Sequence, residues 1–385
     1  MSTVDTFADA SRTDTALARH GPASLWSQRL PLALAVLALF GWLVWSVSAR
    51  QGLLLLVGVG LGWSLAAARF GFTTGWRHLV ESKDPAGVYG QILLLALLAA
   101  ISLPMLASYP EIHAALGPLS VSLVLGAFVF GLCMQIADGC GSGTLYKAGL
   151  GVPLNMGILP LFALGSFMGS AQLNDWLALG ELPAVGLVDQ WGAGGALAAT
   201  LAALAVVAVA VRAWTGVGFS KDVLPRRWIW GAVVLAFFAA LNLFIAGQSW
   251  GVVYGFGLWG AKIATATGLF DPSQNAFWSD PGHAQRLAQT LLLDVTSITN
   301  IGILAGALWV APRRPQDARP MTGTQWLVGM VAGFLLGYSS RLAFGCNVGA
   351  MVSGISTGSL HGWVWVPMAF LGTLVGVRVR RYFKF

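Results

Sequence analysis

Cys133, Cys140 and Cys346 are the three thiols of the chain, and two of them stand in glycine-rich stretches: "DGCGSGTLYKAGLG" (138–151) and "FGCNVGAMVSG" (344–354). A neutral thiol is a weak, polarizable hydrogen-bond donor. With an ordinary pKa of about 8.5, only a few per cent of it is thiolate at neutral pH. Glycine lets a backbone come close to a ligand. Where a helix restarts after a break, free N–H groups and a positive half-dipole face the gap, which makes an anion site. Gly139, Gly141, Gly143, Gly345, Asn347 and Gly349 around the two cysteines are therefore the candidate lining of such a site. A thiolate would repel an anion, so the useful form is the thiol. Weak donors also suit passage, because a pathway must admit its passenger and release it. The combination points to a small, soft, sulfur-bearing anion.

The two stretches are copies. Placing "GLCMQIADGCGSG" (131–143) over "GYSSRLAFGCNVG" (337–349) matches Gly131, Gly139, Cys140 and Gly143 with Gly337, Gly345, Cys346 and Gly349, all at an offset of 206. After a single insertion the match resumes, with Pro160, Leu164, Gly165 and Gly169 on Pro367, Leu371, Gly372 and Gly376. Cysteine is rare here, and two of three coincide.

Other residues admit two readings each. Cys133 precedes Cys140 by seven positions. On one continuous helix the two would share a face about 10.5 Å apart, a ladder of sulfurs; otherwise Cys133 is a small buried hydrophobe. Charges inside a membrane are functional candidates by default. Lys147, Arg341 and Lys262 ("GLWGAKIATATG") either offset the charge of a dianion or serve locally, with Lys147 reaching the interface and Arg341 pairing with Asp138 or Asp294. His361, in "GSLHGWVW", is either a helix-start residue at the interface or a proton carrier. "RFGFTTGWR" (69–77) is either a third inserted segment or a turn. A Cys140–Cys346 disulfide is allowed by the symmetry of the copies, but spacing alone does not set their separation. Five scattered histidines and the lack of close cysteine pairs point to no zinc, haem or iron–sulfur cofactor.

The elements that must hold these residues lie in a membrane. The 385 residues are 56% hydrophobic and 10% charged, with a mean hydropathy of +0.73, against roughly 25% charged in soluble domains. Helical spans need about 20 residues, and strand alternation is absent, which argues against a barrel. Seventeen tryptophans suit interfacial belts as well as tight packing. Apolar segments run over 31–48, 51–68, 88–107, 119–137, 152–170, 193–213, 228–246, 287–311, 325–344 and 362–377, while 250–268 is too interrupted for an ordinary span. No polar stretch is long enough for a soluble enzyme domain, so no enzyme is expected. The net charge of +7 clusters in loops and does not imply nucleic acid.

Loops 108–118 and 171–192 lack Lys and Arg, whereas 212–227, 312–320 and the C-terminus are basic. The positive-inside rule then places both termini in the cytoplasm. The two copies enter the membrane from opposite sides, as an inverted pair. The expected fold is an all-α integral membrane protein, with inverted repeats and short re-entrant, glycine-rich broken helices meeting near the midplane. The expected organisation is a polar tail (1–28), an extra span (29–50), a first repeat (51–213), a second repeat (214–378) and a basic tail (379–385).

"RLAFGCNVGAMVSGISTGSLHGWVW" (341–365), together with "GCGSGTLYKAGLG" (139–151), resembles the YeeE/YedE family of bacterial inner-membrane sulfur transporters, over about residues 51–378. The resemblance implies thiosulfate uptake for cysteine synthesis, with inserted segments meeting at the waist of an hourglass and cysteines passing the anion by S–H hydrogen bonds. Those roles fall on Cys140 and Cys346. It also implies a small cytoplasmic sulfur-carrier protein as partner. Many members resemble "RFCFT" where this chain has "RFGFT", so Gly71 stands in place of a third cysteine. That departure keeps another sulfur or selenium species open as passenger. A membrane thiol oxidoreductase or sulfurtransferase using the same two cysteines is the alternative of another class; the lack of a Cys-x-x-Cys pair counts against it.

Overall fold

The computed structural model describes residues 22–218, 223–311 and 320–385, with side chains from residue 29 onward. The first 21 residues of the expected polar tail, and most of the basic loop 312–320, lie outside the described residues. The chain is almost wholly helical: α1 (Pro22–Ser46), α2 (Ala49–Ala67), α3 (Phe72–Ser82), α4 (Ala86–Ser108), α5 (Val121–Ile136), α6 (Gly141–Gly149), α7 (Pro153–Ala171), α8 (Leu173–Leu177), α9 (Leu187–Thr215), α10 (Arg226–Ala246), α11 (Val253–Ala266), α12 (Pro281–Ala288), α13 (Val295–Val310), α14 (Gly323–Leu342), a π-helix (Asn347–Gly354) and α15 (Leu360–Tyr382). Among the described residues nine stretches are long and apolar enough to cross a membrane. Three of them, Ala49–Ser82, Val121–Gly149 and Gly323–Gly354, are each two helices with a break between.

Small residues decide which helices meet. A Cβ at Gly131 on α5 would run into the Ala369 carbonyl on α15, and one at Gly372 into the Phe128 carbonyl on α5. Gly337 on α14 stands in the same way against Phe162 on α7, and Gly165 against Phe334. These are glycines that the sequence copies superpose. Each copy therefore uses its glycines to bring α5 against α15 and α14 against α7, the close backbone approach typical of packing in lipid. α2 packs on α13, and α5 also touches α14, so the two halves interleave. The single insertion needed by the sequence match lies between Gly349 and Pro367. The structure places a π-helix over Asn347–Gly354, where the first copy has the α-helical α6. A π-turn takes up one additional residue without ending the helix.

Large side chains such as Leu37 and Trp45 on α1, and Val206 and Val209 on α9, point outward. Loops tie one end of the bundle: Leu119–Ser120 pairs antiparallel with Glu181–Leu182, and Gly186 bridges to Ser359. At the other end Gln325 on α14 donates to the Phe383 and Lys384 carbonyls.

Three sequence expectations change. The apolar stretch 287–311 is not one helix, because Asp294 accepts from the Ser297 N–H at 2.7 Å and starts α13 afresh. α1 begins at Pro22, inside the stretch read as tail. The stretch 379–385, read as a tail, begins inside α15, which runs to Tyr382, and the Arg380 guanidinium turns back to Asp138 and to the Gln135 carbonyl.

Candidate functional site

The two cysteine stretches fold into the same local structure. α5 ends with the Ala137 N–H on the Cys133 carbonyl and the Gly139 N–H on the Met134 carbonyl, Asp138 between them having φ +53°. α14 ends with the Ala343 N–H on Ser339, the Gly345 N–H on Ser340, and Phe344 at φ +56°. Both are left-handed helix ends of the kind usually given to glycine. The cysteines follow two residues later with nearly equal dihedrals, −82° and −167° at Cys140, −88° and −168° at Cys346. Each carbonyl then accepts the first bond of a new helix, from Thr144 and from Ala350, at 2.8 Å in both cases.

Each thiol thus sits at a helix start, where amides lack helical partners. Cys140 Sγ accepts from the Gly143 N–H at 3.4 Å and lies 3.4 Å from Ser142 Oγ. Cys346 Sγ faces the amides of Val348 and Gly349 in its own π-helix, and those of Gly141 and Ser142 across the gap in α6. A Cβ at Gly141 would stand 3.0 Å from Cys346 Sγ, so glycine there leaves the second thiol room against the first helix start. All three cysteines are buried and free, so no disulfide joins Cys140 to Cys346.

A narrow crevice of about 10 Å³ opens beside Cys140, lined by Gly71, Thr73, Asp138, Gly143, Tyr146 and Lys147 among others. That volume is at the lower limit for one water. The "RFGFTTGWR" stretch therefore does more than turn: it starts α3 at Gly71 and walls the Cys140 break. Around the two breaks stand buried polar atoms without partners: both side-chain atoms of Asn347, Thr144 Oγ1, Thr73 Oγ1 and His361 Nε2. Buried polar atoms ordinarily find partners, so such a group marks a place where something polar is expected.

The charges sort themselves differently from their sequence neighbourhoods. Asp138 is gripped by Arg77 at 2.6 Å and Lys147 at 2.6 Å, with Arg380 at 3.7 Å. Lys147 lines the crevice but is held by that carboxylate. Arg341 forms an ion pair with neither Asp138 nor Asp294; it donates from Nε to Ser170 Oγ at 2.7 Å and lies 5.5 Å above the rings of Tyr254 and Phe277. Lys262 donates to the Leu287 and Gln289 carbonyls, not to a group at either break. His361 does start a helix, but in the interior, with Nδ1 2.6 Å from Ser359 Oγ. Cys133 packs in the hydrophobic core, and the end of α5 at Ile136 rules out the single helical face that a ladder with Cys140 would need. Thr73, Thr144, Arg77 and Arg380 were not found from sequence. Two of them lie in the flagged 69–77 stretch, whereas nothing near Arg380 signals its carboxylate.

Residues 67–375 match the protein family described as "Sulphur transport". The chain belongs to that family. It is 27% identical over 350 residues to the thiosulfate transporter TsuA of Spirochaeta thermophila, covering 85% of this chain and 98% of that protein. It is 28% identical to the probable transporter YedE of Salmonella typhimurium over 35% of this chain and 33% of that one. Against TsuA of Escherichia coli it is 33% identical over 26% of this chain and 28% of the relative. These relatives are named as transporters, and the nine apolar stretches make this member of the family a multi-pass membrane protein.

Proposed function

We propose that this protein carries thiosulfate across a bacterial inner membrane, passing it between the thiols of Cys140 and Cys346. The supporting observation is the pairing of two helix starts that each bear a cysteine, with the α6 amides of Gly141 and Ser142 facing Cys346 Sγ. Free amides at helix starts stabilise negative charge, and a neutral S–H donates weakly to either sulfur or oxygen of the anion. Asn347, Thr144 and Thr73 supply further unpaired groups at the breaks, and the Gly139, Gly143, Gly345 and Gly349 backbones allow close approach. A crevice of about 10 Å³ is too small for the anion, so on this reading the passenger crosses when the segments around Gly71 and the breaks part.

On this reading residues 51–213 and 214–378 are inverted repeats, and both termini are cytoplasmic. The Asp138 cluster, with three cations around one carboxylate, then lies toward the cytoplasm and draws the dianion onward. The cargo supplies sulfur for cysteine synthesis, received by a small cytoplasmic sulfur-carrier protein. Gly71 favours a second passenger, another sulfur or a selenium species, because a cysteine position of the resembling pattern here bears no thiol.

Uptake of labelled thiosulfate into proteoliposomes tests the reading. Wild-type protein takes up label, and Cys140→Ala and Cys346→Ala each reduce the rate by about tenfold or more, the effect of losing a hydrogen bond that matters in transit, with the folded yield unchanged. Wild-type rates in both variants would reject the thiol relay, and no uptake by wild type beside an active TsuA control would reject thiosulfate.

A further inference from the structure

Arg341 and Arg286 form an unusual pair. Arg341 belongs to the last turn of α14, three residues before Phe344 and five before Cys346. Arg286 belongs to the last turn of α12. Both guanidinium groups lie over one ring, that of Tyr254 at the start of α11, at 5.5 and 5.1 Å. An aromatic face attracts a cation but does not neutralise it. Among the described residues no carboxylate stands within 4 Å of either group. The neighbouring acids are otherwise committed: Asp294 is buried and accepts from the Ser297 N–H and Oγ at 2.7 Å each, and Asp280 accepts from the Gly282 N–H at 3.0 Å. Lys262, the third cation of this neighbourhood, is occupied by the Leu287 and Gln289 carbonyls.

Around the two guanidiniums stand groups suited to an oxyanion. The Tyr254 hydroxyl is 3.0 Å from His283 Nδ1, and the His283 ring stacks on Phe277 at 4.0 Å. Burial, and then the positive charge of Arg341, hold the His283 pKa at about 4, so the imidazole is neutral at physiological pH. The positive charge here is therefore the fixed charge of the arginines. Arg286 is exposed, and Arg341 lies behind it, partly buried. Phe344, at the Cys346 break, packs in the same aromatic cluster as Phe277 and Trp278.

We infer that Arg341, Arg286 and the Tyr254 hydroxyl form a docking site for a divalent oxyanion, occupied before the anion reaches the Cys346 break. Planar guanidiniums match the oxygens of such an anion in two-pronged fashion. The inference rests on the transport reading above, and names a station that the thiols do not supply.

The test is titration of the purified full chain in detergent with thiosulfate and with sulfate, by calorimetry, beside proteoliposome uptake. Arg286→Gln, on an exposed helix, and Arg341→Gln each weaken binding of both anions about tenfold, the loss of a charge-assisted contact. They raise the KM of uptake by a similar factor with little change in maximal rate. Arg341→Lys recovers part of the binding, which separates lost charge from lost folding. A Cys140→Ala, Cys346→Ala double variant still binds. Unchanged binding and KM in both glutamine variants would overturn the docking site while leaving the thiol relay standing. Chloride competing as well as sulfate at equal ionic strength would also overturn it. Binding lost in the arginine variants, together with no uptake by wild type, would support the docking site and reject transport.

Discussion

At Asp138 and at Phe344 the chain makes the same left-handed turn, and it places a thiol at the same backbone angles two residues later. The side chains at the two turns share nothing. Asp138 collects Arg77, Lys147 and Arg380 into one cluster that closes its end of the break. Phe344 carries no charge, lies edge-on to His361 with ring centroids 6.4 Å apart, and leaves nearby Arg341 without a carboxylate. The first break continues into an α-helix, the second into a π-helix with an unpaired Asn347. Two like backbones thus support two unlike ends, one where three cations share a carboxylate and one where Arg341 has none. Under the transport reading the anion meets open cations at one side and a carboxylate-tempered cluster at the other.

Removing Asp138 gives the largest expected effect on stability. Asp138→Ala leaves Arg77 and Lys147 without their counter-charge. The loss is about 2–3 kcal/mol, somewhat under that for a fully buried pair because the Asp138 side chain is 26% exposed. Thermal unfolding in detergent measures it, and an unchanged midpoint would show that the cluster does not close this end. The glycines before the thiols come next. Gly345 has φ +150°, and an added Cβ would meet the Ala350 N at 2.6 Å; Gly139 is not in a left-handed conformation, and its Cβ would meet the Thr144 N at 2.8 Å. Gly345→Ala should therefore cost about 2 kcal/mol and Gly139→Ala about 1. The reverse order would mean that the breaks are not alike under load.

Asn347→Ala should separate stability from transport. Its side chain has no partner to lose, so stability changes by under about 1 kcal/mol, while the uptake rate falls several-fold. Equal uptake would remove Asn347 from the path. The smallest effect concerns acid. The His283 pKa of about 4 lies below the ordinary 6.5, so the unfolded chain binds more protons between those values. Stability is complete above about pH 6.5 and declines as pH falls toward 4. His283→Gln should flatten that decline in a melting series from pH 7 to 4, whereas a slope identical to wild type would place the acid response elsewhere.

The positions of the breaks are legible in short windows, because glycine, a residue able to turn left-handed, and a capping side chain act within about ten residues. The likeness of the two stretches is legible too, and the insertion their match requires coincides with the π-helix. The 287–311 stretch misleads, since hydropathy does not see that Asp294 caps a new helix. The charges mislead for a different reason. Lys147 and Asp138 are neighbours in sequence, but Arg77 and Arg380 reach Asp138 from α3 and from the far end of α15. The neighbourhood of Arg341 is built from α7, α11 and α12. Thr73 shows the same limit, being one hydroxyl among many until α3 is set against the Cys140 break.

The sequence by itself determined a membrane-embedded helical chain, two cysteine-bearing breaks of matching pattern, and family membership, because composition, glycine placement and helix capping are local properties of the chain. Only the tertiary structure decided which cations meet a carboxylate, which polar groups stay unpaired, and that the amides of one helix start face the thiol of the other. Those outcomes depend on how distant helices pack. In a low-dielectric interior a few ångströms decide between a paired charge and a free one.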